Sequence, residues 1–150
     1  MRKKNKDLVP KIGVISIVLK DNSVLLVQRK NNPDAGLWSY PGGHLKFSEK
    51  IFDACERETL EETGIIVSSK EFLTNLDIFI ENDSGEIYLH YLLVAVFCKY
   101  IKGEICPNDD ARDAKWYDIN YILEDKLPMS KNVSNVLRLT LKKYALNNDE

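Results

Sequence analysis

Apolar residues recur along this chain with two periods, one belonging to strands and the other to helices. The run "IGVISIVLK", the short "DNS" and the run "VLLVQRK" are two β-branched stretches joined by turn residues, which predicts a β-hairpin. "NNPDAGLWSYPGG" is dense in Asn, Pro and Gly and predicts a loop, with a short extended piece from Trp38 to Tyr40. A helix should follow, with Ser48 as its N-cap, Glu49 in its first turn and Gly64 as its stop. "IIVSS", "FLTNLDIFI" and "EIYLHYLLVAVFCKYI" then read as long strands separated by the turn "ENDSGE". The last of these is apolar almost throughout from Tyr91 to Phe97, the signature of a central strand covered on both faces. "KWYDI" adds a short strand. Behind a Ser130 cap, Val133, Val136, Leu137, Thr140, Leu141 and Tyr144 fall at helical spacing and predict an amphipathic C-terminal helix. The sum is an α/β fold with a mixed sheet layered between helices.

Composition bounds this picture. The chain has 150 residues and 44% hydrophobic content, which suits a single domain over 1–150 with a sizeable core. Its formal net charge of -2 gives no electrostatic footprint for a nucleic-acid polymer or an anionic membrane. Cys55, Cys98 and Cys106 form no CxxC pair and read as reduced thiols. The basic start "MRKKNKDLVPK" leads straight into strand pattern, with no signal-like apolar run, so residues 1–10 read as a flexible arm of a cytoplasmic protein. No stretch approaches the roughly 18 apolar residues of a membrane span.

The concentrated chemistry lies in "RETLEETG". On a helix of 100° per residue, Glu58, Glu61 and Glu62 project within an arc of roughly 100°, beside an apolar stripe of Ile51, Phe52, Cys55 and Thr59. Leu60 lies off that stripe. Arg57 can brace Glu61 at i,i+4, but one guanidinium cannot neutralise three carboxylates. A hard divalent cation, Mg²⁺ or Mn²⁺, suits the remainder, since it binds through a few carboxylates and the oxygens of a phosphate. Alone, such a run is more often a solvated helix face.

Wider spacing changes that balance. "GHLKFSEKIFDACERETLEETGI" places Gly43, Glu49, Arg57, Glu58, Glu61, Glu62 and Gly64 at the intervals G-x5-E-x7-R-E-U-x-E-E-x-G-U, where U is aliphatic. This resembles the Nudix box at every fixed position, with Thr59 standing where an aliphatic residue is usual. The resemblance implies a Nudix α/β/α sandwich and hydrolysis of a nucleoside diphosphate linked to another moiety. It further implies Glu58 and Glu62 as metal ligands, Glu61 as a ligand or the general base, and the Gly42 carbonyl as a ligand from the loop. Arg57 would orient the glutamates and Glu49 would pair near the helix start. Some relatives draw the base from a distant loop, where "PNDDARDAKW" offers Asp109 and, preferably, Asp110.

For substrate contacts, Arg29 is a candidate phosphate ligand, and Trp38, Tyr40, Phe47, Tyr88 and His90 are candidates to stack on a base. "LWSYPGGHLKFSE", "LHYLLVAVF" and "PNDDARDAKWYDI" are similar to the ADP-ribose pyrophosphatase-like group of the family. That group is itself close to enzymes that clear oxidised nucleoside triphosphates. Ile80 stands where one ADP-ribose subgroup carries a proline. ADP-ribose or a similar nucleotide sugar is the preferred substrate, with a triphosphate second and a non-catalytic nucleotide sensor third. The resemblance admits a homodimer as well as a monomer.

Overall fold

The computed structural model describes residues 8–145. The N-terminal arm expected over 1–10 therefore lies largely outside the described residues; Leu8, Val9 and Pro10 are exposed. Strand β1 (Lys11–Lys20) turns through Asp21 and Asn22 into β2 (Ser23–Arg29), the predicted hairpin. Short strands β3 (Trp38–Ser39) and β4 (Gly42–His44) follow, then helix α1 (Ile51–Thr63). Beyond it come β5 (Ile66–Glu81), β6 (Ile87–Lys102), β7 (Ala111–Asp118), the short α2 (Ile119–Leu123) and α3 (Val133–Ala145).

Seven strands share one sheet in the order β3-β2-β1-β6-β5, with β4 also on β1 and β7 also on β2. The β1–β6 pairing is parallel and the others are antiparallel, so the sheet is mixed as predicted. Successive side chains on β1 point to opposite faces. Ile17 therefore packs in one core with Val133, Val136 and Leu137 of α3, while Val14 and Val18 pack in a second with Ala54 and Cys55 of α1. These two apolar layers hold the sheet between helices.

β1 and β2 pair directly only at Leu19–Val24 and Lys20–Ser23. Past that point they part, and β4 takes the place beside β1 at Gly13, Val14 and Ile15. The parting opens the sheet next to α1. Gly42 sits where a side chain has no room, because a Cβ there would lie 2.0 Å from the Val14 carbonyl oxygen.

Three expectations are corrected. Ser48 does not cap α1: it adopts φ 67, and Lys50 occupies the N-cap with no side-chain bond, so Glu49 precedes the helix. Ser130 does not cap α3, which starts three residues later after a turn at Lys131 and Asn132. The apolar run of β6 is fully buried only at Ala95 and Val96, because the helices cover just one half of that strand. The other signals appear as read: Gly64 is left-handed at φ 76 with its N–H on the Leu60 carbonyl, and the six apolar positions of α3 face the core.

Leu137 is completely buried between α3 and the sheet, whereas Leu139 faces outward. Leu137→Ala should cost about 2–5 kcal/mol in urea unfolding, and Leu139→Ala less than about 1 kcal/mol.

Candidate functional site

The charged side chains of the box hang on α1 and on the turn just before it. Arg57 is the centre. Its Nε and Nη2 donate to the two oxygens of Glu49 at 2.7 and 2.9 Å, a bidentate fork. Its Nη1 donates to Glu58 at 2.7 Å and to Glu61 at 3.2 Å, and Nη2 also donates to the His44 carbonyl at 3.1 Å. One guanidinium thus joins the turn before the helix, the helix and β4. Its fork holds the Glu49 carboxyl down at about 2, and Glu49 with Glu58 raises the guanidinium's own pKa.

The three acids sit at graded depth. Glu62 is 6% exposed, the Glu58 side chain 16% and the Glu61 side chain 40%. Glu62 accepts the Gly42 N–H at 2.8 Å, which does not offset its burial. Burial first, then the charges of Glu58 and Asp110, push its carboxyl up to about 8. Burial also raises Glu58, against the pull of Arg57. Gly43 gives Glu58 its room, since a Cβ there would stand 2.5 Å from the carboxyl carbon.

Below the acids, α1 is held by hydroxyl groups as well as by apolar contact. Thr59 donates to the Cys55 carbonyl at 2.7 Å, and Thr63 donates to the Thr59 carbonyl at 2.6 Å. Both threonines are fully buried. Thr59 therefore fills the unusual box position with a satisfied hydroxyl. Of the predicted stripe, Cys55 and Thr59 are buried and Ile51 packs beside them, but Phe52 stands exposed and Ala54 takes its place. Leu60 is exposed.

Asp110 reaches the cluster through backbone bonds that spacing could not reveal. The loop after β6 donates Cys106 N–H to the Thr63 carbonyl at 2.7 Å and Asn108 N–H to the Glu62 carbonyl at 3.1 Å. Those bonds satisfy carbonyls left open at the end of α1. Asp110 then accepts from the Asn31 side chain at 3.2 Å, and its carbonyl accepts the Lys30 N–H at 3.1 Å. Asn31 was not singled out by the sequence; nothing in its spacing marks it.

The substrate candidates scatter. Trp38 is buried against Tyr117 and bridged to Met129, and Tyr40 is buried with its hydroxyl on the Val133 carbonyl at 2.6 Å; both belong to the core, which removes them as stacking surfaces. Arg29 donates Nε to the Pro33 carbonyl at 2.7 Å and bears electrostatically on Glu62, so its first duty is to its own loop. Phe47 is fully exposed in the turn before α1. His90 packs at a tilt against Phe79 and approaches Asp77 at 3.4 Å on the β5–β6 hairpin, with Tyr88 nearby on β6, neither being joined to the box.

Among the described residues no three His, Cys, Asp or Glu side chains form a ready-made metal cage. The cluster instead has the character of an Mg²⁺-type site, a few carboxylate oxygens completed by water and substrate phosphate. Glu62, buried with a single hydrogen bond, has the unmet demand for positive charge that such a cation answers.

A helix carrying a graded acidic cluster beside glycine backbone, at the open end of a mixed sheet, is the arrangement expected of a Nudix box. The chain matches the NUDIX domain over residues 9–138 and belongs to that family, whose hydrolases generally use divalent metals. It is 32% identical over 131 residues to an ADP-ribose pyrophosphatase of Methanocaldococcus jannaschii, covering 87% of this chain and 75% of that one. It is 28% identical to an oxidized purine nucleoside triphosphate hydrolase of Danio rerio, covering 81% and 71%. Among solved structures, a MutT NUDIX hydrolase from Burkholderia pseudomallei superposes with a TM-score of 0.72 at 26% identity, covering 87% and 98%. No described helix is long and apolar enough to cross a membrane.

The raised Glu62 carboxyl fixes a sign for stability. It is protonated in the fold up to about 8 and in the unfolded chain only up to 4.5, so its favourable term is full below 4.5 and lost as pH rises through 8. Glu49 acts oppositely, its contribution being lost as pH falls from 4.5 toward 2. Melting of the metal-free protein should show Glu62→Gln stabilising at pH 8.5 and near neutral at pH 4.5, and Mg²⁺ should raise the wild-type melting temperature more at pH 8.5 than at pH 6.

Proposed function

We propose that this chain is a cytoplasmic, Mg²⁺- or Mn²⁺-dependent Nudix hydrolase, acting as one domain, that cleaves the pyrophosphate linkage of ADP-ribose or a closely related nucleotide sugar. The observation that carries the reading is the graded cluster of Glu58, Glu61 and Glu62, built around Arg57 and set against the backbone of Gly42 and Gly43. The similarity to the M. jannaschii pyrophosphatase supports ADP-ribose as substrate. Similarity to the D. rerio enzyme favours a second reading, hydrolysis of an oxidised purine nucleoside triphosphate. A sensor without catalysis fits less well, because every acid of the box is present. Three unpaired cysteines, two of them buried, support a reducing compartment.

In this reading Glu58 and Glu62 would hold the cation, Glu61 would join directly or through water, and the Gly42 carbonyl would complete the protein's share. When bound, the cation withdraws charge from the diphosphate and makes water more acidic. Glu61 is the general base of choice: it is the most exposed of the three and makes the longest of Arg57's carboxylate bonds, so a lone pair is free for water's proton. Asp110 is the alternative, close enough for its charge to act on Glu58 and Glu62. Arg57 keeps the carboxylates aimed, and Glu49 keeps Arg57 in place. Phe47 and Arg29 are the remaining candidates for substrate contact.

Purified protein with Mg²⁺ should convert ADP-ribose and water into AMP and ribose 5-phosphate. A monophosphate and pyrophosphate from an oxidised triphosphate, with ADP-ribose untouched, would select the second reading. An inactive wild type across a broad nucleotide panel would sink the hydrolase altogether. Glu62→Gln should lose about 10³-fold or more in kcat/KM, since several kcal/mol of charge stabilisation depends on its site. Of Glu61→Gln and Asp110→Asn, the one that loses about 10²–10⁴-fold in kcat with little change in KM marks the base.

A further inference from the structure

Two loops meet beside the acidic cluster, and one hydrogen bond joins their side chains. The first leaves β2 and carries Asn31; the second leads into β7 and carries Asp110. The backbone of Asp110 is pinned from two sides. Asn108 donates its N–H to the Glu62 carbonyl at 3.1 Å and accepts the Ala111 N–H at 3.1 Å, closing a turn in which Asp109 is left-handed at φ 55. From the other side, Lys30 donates its N–H to the Asp110 carbonyl at 3.1 Å. The β2–β7 ladder shifts register just there: Gln28 faces Asp113 and Arg29 faces Ala111, which leaves Arg112 as an extra residue. Such an insertion bends its strand and re-aims neighbouring side chains, which is why it recurs beside active sites.

The first loop is braced without help from Asn31. Arg29 donates its N–H to the Leu37 carbonyl and accepts the Gly36 N–H, both at 2.8 Å. Arg29 Nε reaches the Pro33 carbonyl at 2.7 Å, and Gln28 Nε2 reaches the Gly36 carbonyl at 3.1 Å. The Asn31 side chain is therefore spare. Its amide nitrogen donates to Asp110 Oδ1 at 3.2 Å, across 79 positions of sequence. An ionised carboxylate only accepts, so the amide must turn its nitrogen toward it. Holding one oxygen stops an exposed carboxylate from swinging among its rotamers. It also leaves Oδ2 with no donor among the described residues, on a group whose charge acts on both Glu58 and Glu62.

We propose, on the reading that Asp110 serves the hydrolysis, that Asn31 is a positioning residue of the site: its amide holds one oxygen of Asp110 and keeps the carboxylate aimed at the acidic cluster. The loop after β2 thereby enters the reaction through a residue that touches no metal ligand of the box.

Steady-state kinetics with Mg²⁺ and ADP-ribose, or with the oxidised triphosphate if the wild type cleaves only that, test this. Asn31→Ala should lose about 10-fold in kcat with KM changed less than about 2-fold, and Asp110→Asn should lose more. Both residues are exposed, so far-UV circular dichroism and melting temperature should stay at wild type. Asn31→Asp keeps the shape of the side chain but sets a second carboxylate against Asp110, and it should lose at least as much as Asn31→Ala. A role in loop shape alone would leave that change silent. The aspartate variant also carries the test if the alanine variant fails to fold. In the Asp110→Asn background, adding Asn31→Ala should cost less than about 2-fold, because the amide acts only through that carboxylate. Wild-type kcat in both Asn31 variants, with Asp110→Asn impaired, overturns the role of Asn31 and leaves Asp110 in the site. The full loss persisting in the Asp110→Asn background overturns it too, since Asn31 would then act directly. Wild-type kcat in Asp110→Asn, or a wild type inactive on both substrates, removes the underlying reading and this role with it.

Discussion

A single guanidinium carries the architecture of the site. Arg57 draws two carboxylates from its own helix, one from the turn before it and a carbonyl from β4 into one plane of hydrogen bonds. Planar, bidentate bonding lets a partly buried arginine organise several acids, where a lysine would offer only a point charge. Removing it would leave the Gly42 N–H on Glu62 as the hydrogen bond between β4 and α1, and would leave Glu58 among like charges without its nearest partner.

Glu62 shows what the arrangement costs. A carboxyl this deep, with one backbone N–H for company, is held against its preference for water. The glycines beside it and the parting of β1 from β2 are the structural price of bringing carboxylates and backbone together. The buried threonines beneath α1 complete the same economy of space: they bond back to their own helix and leave no polar group open under the acids.

Much of this was legible because it is local. The 100° arithmetic of a helix put the three glutamates on one face, Gly64 marked the helix end, and the periodic apolar positions of the last helix face its core. Elsewhere long-range contacts decided. Ser48 and Ser130 had the chemistry of caps, but the turns around them set each helix start three residues later, at Ile51 and Val133. Trp38 sits on a strand of two residues, too short for any pattern to say which side it faces. Asp110 was reachable only by resemblance, since its approach depends on hydrogen bonds from a loop to the end of a helix some forty residues earlier in the chain.

The contact between Gly43 and the Glu58 carboxyl also explains why the motif has fixed lengths as well as fixed letters. Its intervals are a ruler: one spans the turn from β4 to the salt bridge at Glu49, the next spans the helical rise that returns Arg57 to that same carboxylate. One residue inserted inside α1 would rotate everything beyond it by 100° and carry part of the cluster away from the glycines. One inserted in the hairpin turn between Glu81 and Ile87 would disturb nothing in the site. Length variation among chains of this design should therefore be silent at the hairpin tip and lethal between Gly43 and Gly64.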